Sequence, residues 1–233
     1  MNRKQIIALI PARSGSQRVK NKNIIKLKNH PMIAYTIVSA IESKIFDKVL
    51  VSTDSINYAN IAEHYGASVP YLRNKKISKD LSTDLECFKD FLYQLKKRNI
   101  AIPDFIVHLR PTYPYREKGL ISNCIKKILK LKGRADSLRT IFRLRENIQK
   151  MWLLDKNNMI YNPITKNTEQ HNMPGQKLKK SYIQANCIDI LNVKNTIYKN
   201  SMTGKKIFGY EINHNYDIDE IEDFKKLKKI LIK

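Results

Sequence analysis

QIIALIPARSGSQRVKNKN, residues 5–23, passes without a break from an apolar run into a Ser-Gly-Ser turn flanked by Arg13, Arg18, Lys20 and Lys22. A short, uninterrupted apolar run that ends at a turn fits a strand covered on both faces, as in a parallel sheet. A parallel strand needs a long crossover before its neighbour. PMIAYTIVSAIESK (31–44) supplies one, because its apolar residues recur at helical spacing after a long polar loop. In such sheets ligands bind beyond the carboxyl ends of the strands. The basic loop stands at that place.

The same alternation continues outward. KVLVST (48–53) reads as a second strand and SINYANIAEHYG (55–66) as a helix stopped by Gly66. ASVPYL is a short extended segment. STDLECFKDFLYQLKKR (82–98) is a helix opened by Ser82 or Thr83, with Glu86 at capping-box distance. DFIVHLRP (104–111) and ADSLRTIF (135–142) are further strands, separated by the helix EKGLISNCIKKILKLK (117–132). The class is therefore α/β, a mostly parallel sheet with helices on both faces. Its functional loops should follow Ile10, Ser52 and Leu109.

From Arg143 to Lys180 the periodicity lapses into Asn, Lys, Pro and Gln around the apolar knot Met151-Trp152-Leu153-Leu154. Regular structure returns with YIQANCIDILNV (182–193) and KKIFGYEI (205–212), and DEIEDFKKLKKILIK (219–233) is an amphipathic closing helix. With no internal repeat or low-complexity linker, 1–233 reads as a single domain carrying a small inserted lobe at 143–182.

The chain has 233 residues, 42% of them hydrophobic, enough for a sizeable core. No apolar run approaches the roughly 18 residues of a membrane span. The opening MNRKQIIALIPAR loses its apolar character at Arg13 with no small-residue cleavage site after it, so a cytoplasmic protein without a membrane segment is expected. Cys87, Cys124 and Cys187 lie far apart with no CxxC pair, which predicts buried, reduced thiols and no zinc ribbon. His30, His64, His108, His171 and His214 are equally scattered and read as structural.

The net charge of +23 admits nucleic acid, an anionic membrane or acidic small substrates as partners. Of the 44 basic residues 33 are Lys, spread from end to end, which reads as solvated faces. No aromatic-basic RNP or helix-turn-helix signature accompanies them, so a nucleic-acid partner is the weaker alternative.

Five stretches carry groups that do chemistry. The first loop is neither a Walker loop nor GxGxxG. It is either a cradle for phosphates, with Ser14-Gly15-Ser16 as the turn and its cations as charge-assisted donors, or a basic solvent loop. LRPTYPYR (109–116) carries Arg110, Thr112 and Arg116 on a backbone stiffened by Pro111 and Pro114: a ligand wall or a shaped connection. NYDIDEIEDF (215–224) places Asp217 and Asp219 two residues apart, so in an extended segment both carboxylates point to one side. That suits Mg²⁺, although Asp219 also stands where it would cap the last helix. Asp54 in STD (52–54), and Arg73, Asp80, Ser82 and Asp84 in YLRNKKISKDLSTD (71–84), can contact a nucleotide or cap helices.

Taken in order, IIALIPARSGSQRVKNKN, PMIAYTI, FDKVLVSTD, LRPTYPYR and YDIDEIEDF resemble the CMP-N-acylneuraminate synthetases, the acylneuraminate cytidylyltransferases. KMWLLD, NMPGQ and SYIQANCIDI further resemble the branch acting on bacterial nonulosonates such as legionaminate. The resemblance implies a Rossmann-like nucleotidyltransferase fold. Its first loop would hold the CTP triphosphate through Arg13, Ser16, Lys22 and Asn23, with Ser14 and Gly15 completing the turn. Arg73, Ser82 and Asp84 would surround cytosine and ribose. Asp217 and Asp219 would bind Mg²⁺, with Mn²⁺ as the alternative ion. Arg110, Thr112, Tyr113, Arg116, Gln176, Tyr182 and Gln184 fall on the acceptor side, and the segment after Arg143 matches a dimerisation lobe, so a homodimer is implied.

The implied reaction is in-line attack of the anomeric hydroxyl of a sugar acid on the α-phosphate of CTP, releasing pyrophosphate. Arg13, Lys22 and Asp219 would be the catalytic residues. The chain departs from the family's pattern at Gln17 and Arg18, at Arg110 and Tyr113, at Gly175, where the family has an Arg, and at Ala185-Asn186. Most of these lie on the acceptor side, so another anionic acceptor, 3-deoxy-manno-octulosonate or a phosphonate, is the alternative within the same reaction type. Arg110 would then supply the carboxylate contact that Gly175 cannot.

Overall fold

A computed structural model describes residues 3–16, 19–165 and 167–232. Gln17 and Arg18, two of the departures noted above, lie outside the described residues. The central sheet has six strands: β1 (Ile6–Pro11), β2 (Lys48–Ser52), β3 (Phe105–His108), β4 (Ser137–Arg143), β5 (Tyr182–Asn192) and β6 (Ile207–Ile212), in spatial order β6-β4-β5-β3-β1-β2. β1 pairs in parallel with both β2 and β3, and β4 pairs in parallel with β6. β5 is inserted antiparallel between β3 and β4 and joins the two parallel halves.

Side chains on a strand alternate between its faces, and β1 shows what each face packs against. Ile6, Ala8 and Ile10 enter one core with Ile33 and Ile37 of helix α1 (Met32–Glu42), Tyr58 of α2 (Ile56–His64) and Ile121 and Ile125 of α4 (Leu120–Lys130). Ile7 and Leu9 point the other way, into a core with Phe88, Phe91, Leu92 and Leu95 of α3 (Asp84–Lys97). Both faces are thus covered, as the unbroken apolar run requires. The closing helix α5 (Ile221–Ile232) brings Leu227 against Leu27, Met32 and Ile218.

Local signals set the helix ends. Ser55 accepts from the Tyr58 backbone at the start of α2. Gly66, at φ +90°, closes its end: its own N–H donates to Glu63 O and the next N–H, of Ala67, donates back to Ala62 O. That is the Schellman arrangement, which needs a left-handed residue at this position. Thr83, rather than Ser82, caps α3, and the reciprocal Glu86 contact completes the capping box.

β1, β2, β3 and β4 end at one edge of the sheet, where antiparallel β5 begins. The loops after Pro11, Ser52 and His108 therefore open on the same side. The described residues between 144 and 181 leave and return at this edge, contain a two-residue-strand hairpin (Leu153–Leu154 with Ile160–Tyr161) and do not join the central sheet. No helix among the described residues is long and apolar enough to cross a membrane. Cys87, Cys124 and Cys187 are free and buried.

Candidate functional site

A cleft of about 550 Å³ lies beyond the carboxyl ends of β1 and β3. It brings together Arg13, Ser16, Lys22 and Asn23 from the first loop, Arg73, Asp80, Ser82 and Asp84 from the segment leading into α3, Arg110 and Thr112 from the loop after β3, and Asp219 from near the chain's end.

The first loop is fixed from two sides. The Ser14 N–H and hydroxyl both donate to Asp54 at the end of β2, each at 2.9 Å. Buried Asn23 donates to the Arg13 carbonyl at 3.0 Å. Ser14 thus serves as an anchor, and Gly15 does not line the cleft. Arg13 and Lys22 project into the cleft and meet carboxylates: Arg13 Nη1 lies 2.9 Å from Asp80 Oδ1, and Lys22 Nζ donates to Ile218 O at 3.0 Å and lies 3.4 Å from Asp219 Oδ1.

Arg73 is buried in the cleft wall. Its backbone N–H donates to Thr53 O at 2.7 Å, while its guanidinium reaches Ser78 Oγ at 3.0 Å and Cys87 Sγ at 2.8 Å. Burial pushes the Cys87 thiol above its usual range even though Arg73 opposes this, so it is a neutral lining group. Asp84, the first residue of α3, receives Arg110 Nη2 at 3.1 Å, and Arg110 Nη1 donates to Asp189 at 2.9 Å. Ser82 Oγ accepts from the Lys79 N–H.

Asp217 and Asp219 differ in environment. Asp219 is 58% exposed. Asp217 is largely buried: its Oδ2 accepts from Asn186 Nδ2 at 2.8 Å, and its Oδ1 is buried with no hydrogen-bond partner among the described residues. Burial raises the pKa of Asp217, while hydrogen bonds from Asn186 and Thr112 oppose the rise. The Ile218 N–H between the two aspartates donates to Thr112 O at 2.9 Å, joining this segment to the loop after β3. Among the described residues no group of three His, Cys, Asp or Glu side chains forms a closed metal cage. Two oxygen-donor carboxylates, one with an orphaned oxygen, fit a hard cation that takes its other ligands from water and phosphate.

Several expected acceptor-side residues are placed elsewhere. Tyr113 is buried and its hydroxyl donates to His214 O at 2.6 Å. Arg116 is also buried, and its guanidinium donates to the backbone carbonyls of Tyr113, Arg110 and Cys187 and to Thr36 Oγ1. Both therefore act as scaffold under the loop, because a guanidinium surrounded by carbonyls has no donor left for a ligand. Gln176 lines a separate cleft of about 400 Å³ with Gly175, Arg143, Arg145 and Lys180. Tyr182 and Gln184, at the start of β5, are exposed outside the main cleft, with Gln184 donating to Asn186 Oδ1 at 3.1 Å. His108 lines the cleft, with Arg139 and Asp189 paired behind it; the sequence reads His108 as structural and gives the other two no role. The one available signal was a carboxylate inside the apolar run CIDIL (187–191).

Cations facing a carboxylate in a strand-end cleft, with a second carboxylate two residues along the chain, suit nucleotidyl transfer, and fold and site together are those of a nucleotidyltransferase. A sequence model of the cytidylyltransferase family matches residues 7–233, and the chain belongs to that family. It is 37% identical over 131 residues to CMP-N,N'-diacetyllegionaminic acid synthase of Legionella pneumophila, a match spanning 56% of each chain. It is 29% identical over 229 residues to pseudaminic acid cytidylyltransferase of Campylobacter jejuni, covering 97% of this chain and 96% of that one. Among solved structures, CMP:2-keto-3-deoxy-manno-octonic acid synthetase complexed with CTP superposes with a TM-score of 0.72 over 98% of both chains at 11% identity, a likeness of fold.

Proposed function

We propose that the protein transfers CMP from CTP to the anomeric hydroxyl of a nonulosonic acid of the legionaminate, pseudaminate or N-acylneuraminate kind, releasing pyrophosphate. The observation that carries this reading is the meeting of Arg13 and Lys22 with Asp219 in one cleft, within a chain whose relatives are named for that chemistry. Arg13 and Lys22 would replace their present carboxylate partners with triphosphate oxygens and neutralise the charge that grows on the leaving pyrophosphate. Ser16 and Asn23 would complete the phosphate side, and Arg73, Ser82 and Asp84 the nucleoside side. Arg110 and Thr112 remain for the acceptor.

Asp217 and Asp219 would hold Mg²⁺, or Mn²⁺ in its stead, which when bound screens phosphate charge and acidifies a nearby hydroxyl. The orphaned Oδ1 of Asp217 supports that assignment. The reading places the protein in the cytoplasm, where CTP is made. Pyrophosphate release from CTP is expected with nonulosonic acids, and chelation by EDTA should abolish it. Release with 3-deoxy-manno-octulosonate alone would move the acceptor to that sugar, and release with no sugar acid would overturn the reading.

We also propose that residues 143–182 form the dimerisation lobe of the single domain. The support is a run of exposed apolar side chains there: Trp152, Leu153, Leu154, Met159, Ile160 and Ile164 are between 41% and 66% exposed. Patches of this kind on a water-facing surface mark interfaces. Sedimentation should show a dimer that Leu154→Glu with Ile160→Glu converts to a monomer, and a monomeric parent protein would reject the lobe's role.

A further inference from the structure

Asp189 sits in the apolar middle of β5 and has no exposed surface. Strand pairing places it opposite His108 of β3 and Arg139 of β4, directly beneath the cleft. Two guanidiniums converge on one of its oxygens: Arg139 Nη1 at 2.8 Å and Arg110 Nη1 at 2.9 Å. The other oxygen, Oδ1, is buried with no hydrogen-bond partner among the described residues. Next to the pair, His108 Nδ1 lies 3.7 Å from the Asp189 carboxylate, and burial together with the neighbouring arginines holds that ring neutral.

The two arginines differ. Arg139 is buried, and its Nη2 is tied to Met202 O at 2.7 Å. By itself it neutralises Asp189, so charge balance in the core does not call for a second guanidinium. Arg110 is that second cation. Its side chain is 22% exposed and lines the cleft. Its remaining ionic partner is Asp84, 44% exposed at the cleft rim, where water screens the pair. Two guanidiniums facing one buried carboxylate leave an excess positive charge directed at the cleft, and an arriving anion can take it from the rim carboxylate.

We propose that Asp189 is a positioning residue for the acceptor: from beneath the cleft it fixes one edge of the Arg110 guanidinium, so that the other edge is presented to the carboxylate of the sugar acid. The proposal rests on the nonulosonate reading above. A fork held at one nitrogen by a buried carboxylate is oriented before the ligand arrives, which removes the ordering cost that a free arginine would bring to binding. It also assigns a function to a buried acid that core packing alone does not explain.

Pyrophosphate release with CTP saturating and the sugar acid varied is the test. Asp189→Asn keeps the shape and one acceptor oxygen but loses the charge. It is expected to raise the acceptor KM by about tenfold or more, the factor a charge-assisted hydrogen bond carries, while the CTP KM stays within about twofold. Arg110→Gln should do the same, and the double variant should be no worse than the worse single, since both remove one interaction. A purely structural Asp189 would raise both KM values together, or add its effect to that of Arg110→Gln; either result overturns the proposal.

Should Asp189→Asn fail to fold, Arg110→Lys decides the question. A lysine keeps the charge without the fork, and an unchanged acceptor KM in that variant overturns the proposal. Parent protein that turns over no sugar acid overturns the nonulosonate reading and this inference with it. Turnover with unselective variants overturns this inference alone.

Discussion

Asp219→Asn is expected to lower kcat by about 100- to 1000-fold, the scale on which preorganised charge at a transferring phosphoryl group acts. The side chain is 58% exposed and pairs with Lys22 at the cleft, so the fold does not depend on it. Replacing an exposed carboxylate by its amide changes stability within about 0.5 kcal/mol, and the melting temperature should not move measurably. Turnover and melting are thus predicted to separate cleanly. In the present structure Asp219 also holds Lys22 at 3.4 Å, and its removal frees that cation to bind phosphate. The CTP KM should therefore stay level or fall while kcat drops. Steady-state pyrophosphate release at varied Mg²⁺ measures both, and an unchanged kcat would remove Asp219 from the metal site.

The opposite separation is expected for Arg116→Met. The resemblance assigns Arg116 to the acceptor, yet its guanidinium is enclosed by the carbonyls of Tyr113, Arg110 and Cys187 and by Thr36 Oγ1. Methionine covers the arginine stem but takes the guanidinium's donors from the Tyr113 and Cys187 carbonyls in the interior, while Arg110 O keeps the Tyr113 N–H and the Thr36 hydroxyl. Each unsatisfied buried group costs about 1–3 kcal/mol, so a loss of about 3 kcal/mol or more is predicted. For a domain of this size that lowers the melting temperature by about 6–12 °C. Calorimetry or circular dichroism checks it. A melting temperature within about 2 °C of the parent, with a raised acceptor KM, would return Arg116 to the substrate.

The two arginines of LRPTYPYR illustrate which features the sequence made legible. Periodicity placed the strand before them, and the strand-end rule placed the loop at the cleft. Neither tells an arginine facing the cleft from one facing the core. That depends on β5, whose carbonyl at Cys187 receives Arg116 and whose carboxylate at Asp189 receives Arg110. β5 arrives from some 80 residues downstream and runs antiparallel to its neighbours, a register that no local pattern encodes.

Features of short range were readable. The alternation of Ile6, Ala8 and Ile10 with Ile7 and Leu9, the stop at Gly66 and the Thr83–Glu86 box are all set by neighbouring residues. The convergence of Arg13, Lys22 and Asp219 lies between these cases. The order of motifs along the chain pointed to it, and topology then brought the distant groups into one cleft. Tyr182 and Gln184 do not line that cleft and Gln176 lines a separate one, although β5 begins at the same edge of the sheet, so the order of motifs did not fix which of these side chains reach it.

Three of the cations that line the cleft are already matched by carboxylates of the same chain: Arg13 by Asp80, Lys22 by Asp219 and Arg110 by Asp84. The arrival of nucleotide and sugar acid is therefore an exchange of one set of anions for another. Mobile salt ions condensed on the surface play a small part in that exchange, and the binding equilibrium should respond to ionic strength far more weakly than a surplus of 23 positive charges would suggest. That surplus lies on the solvated lysine faces, and the cleft is insulated from it by its own acids.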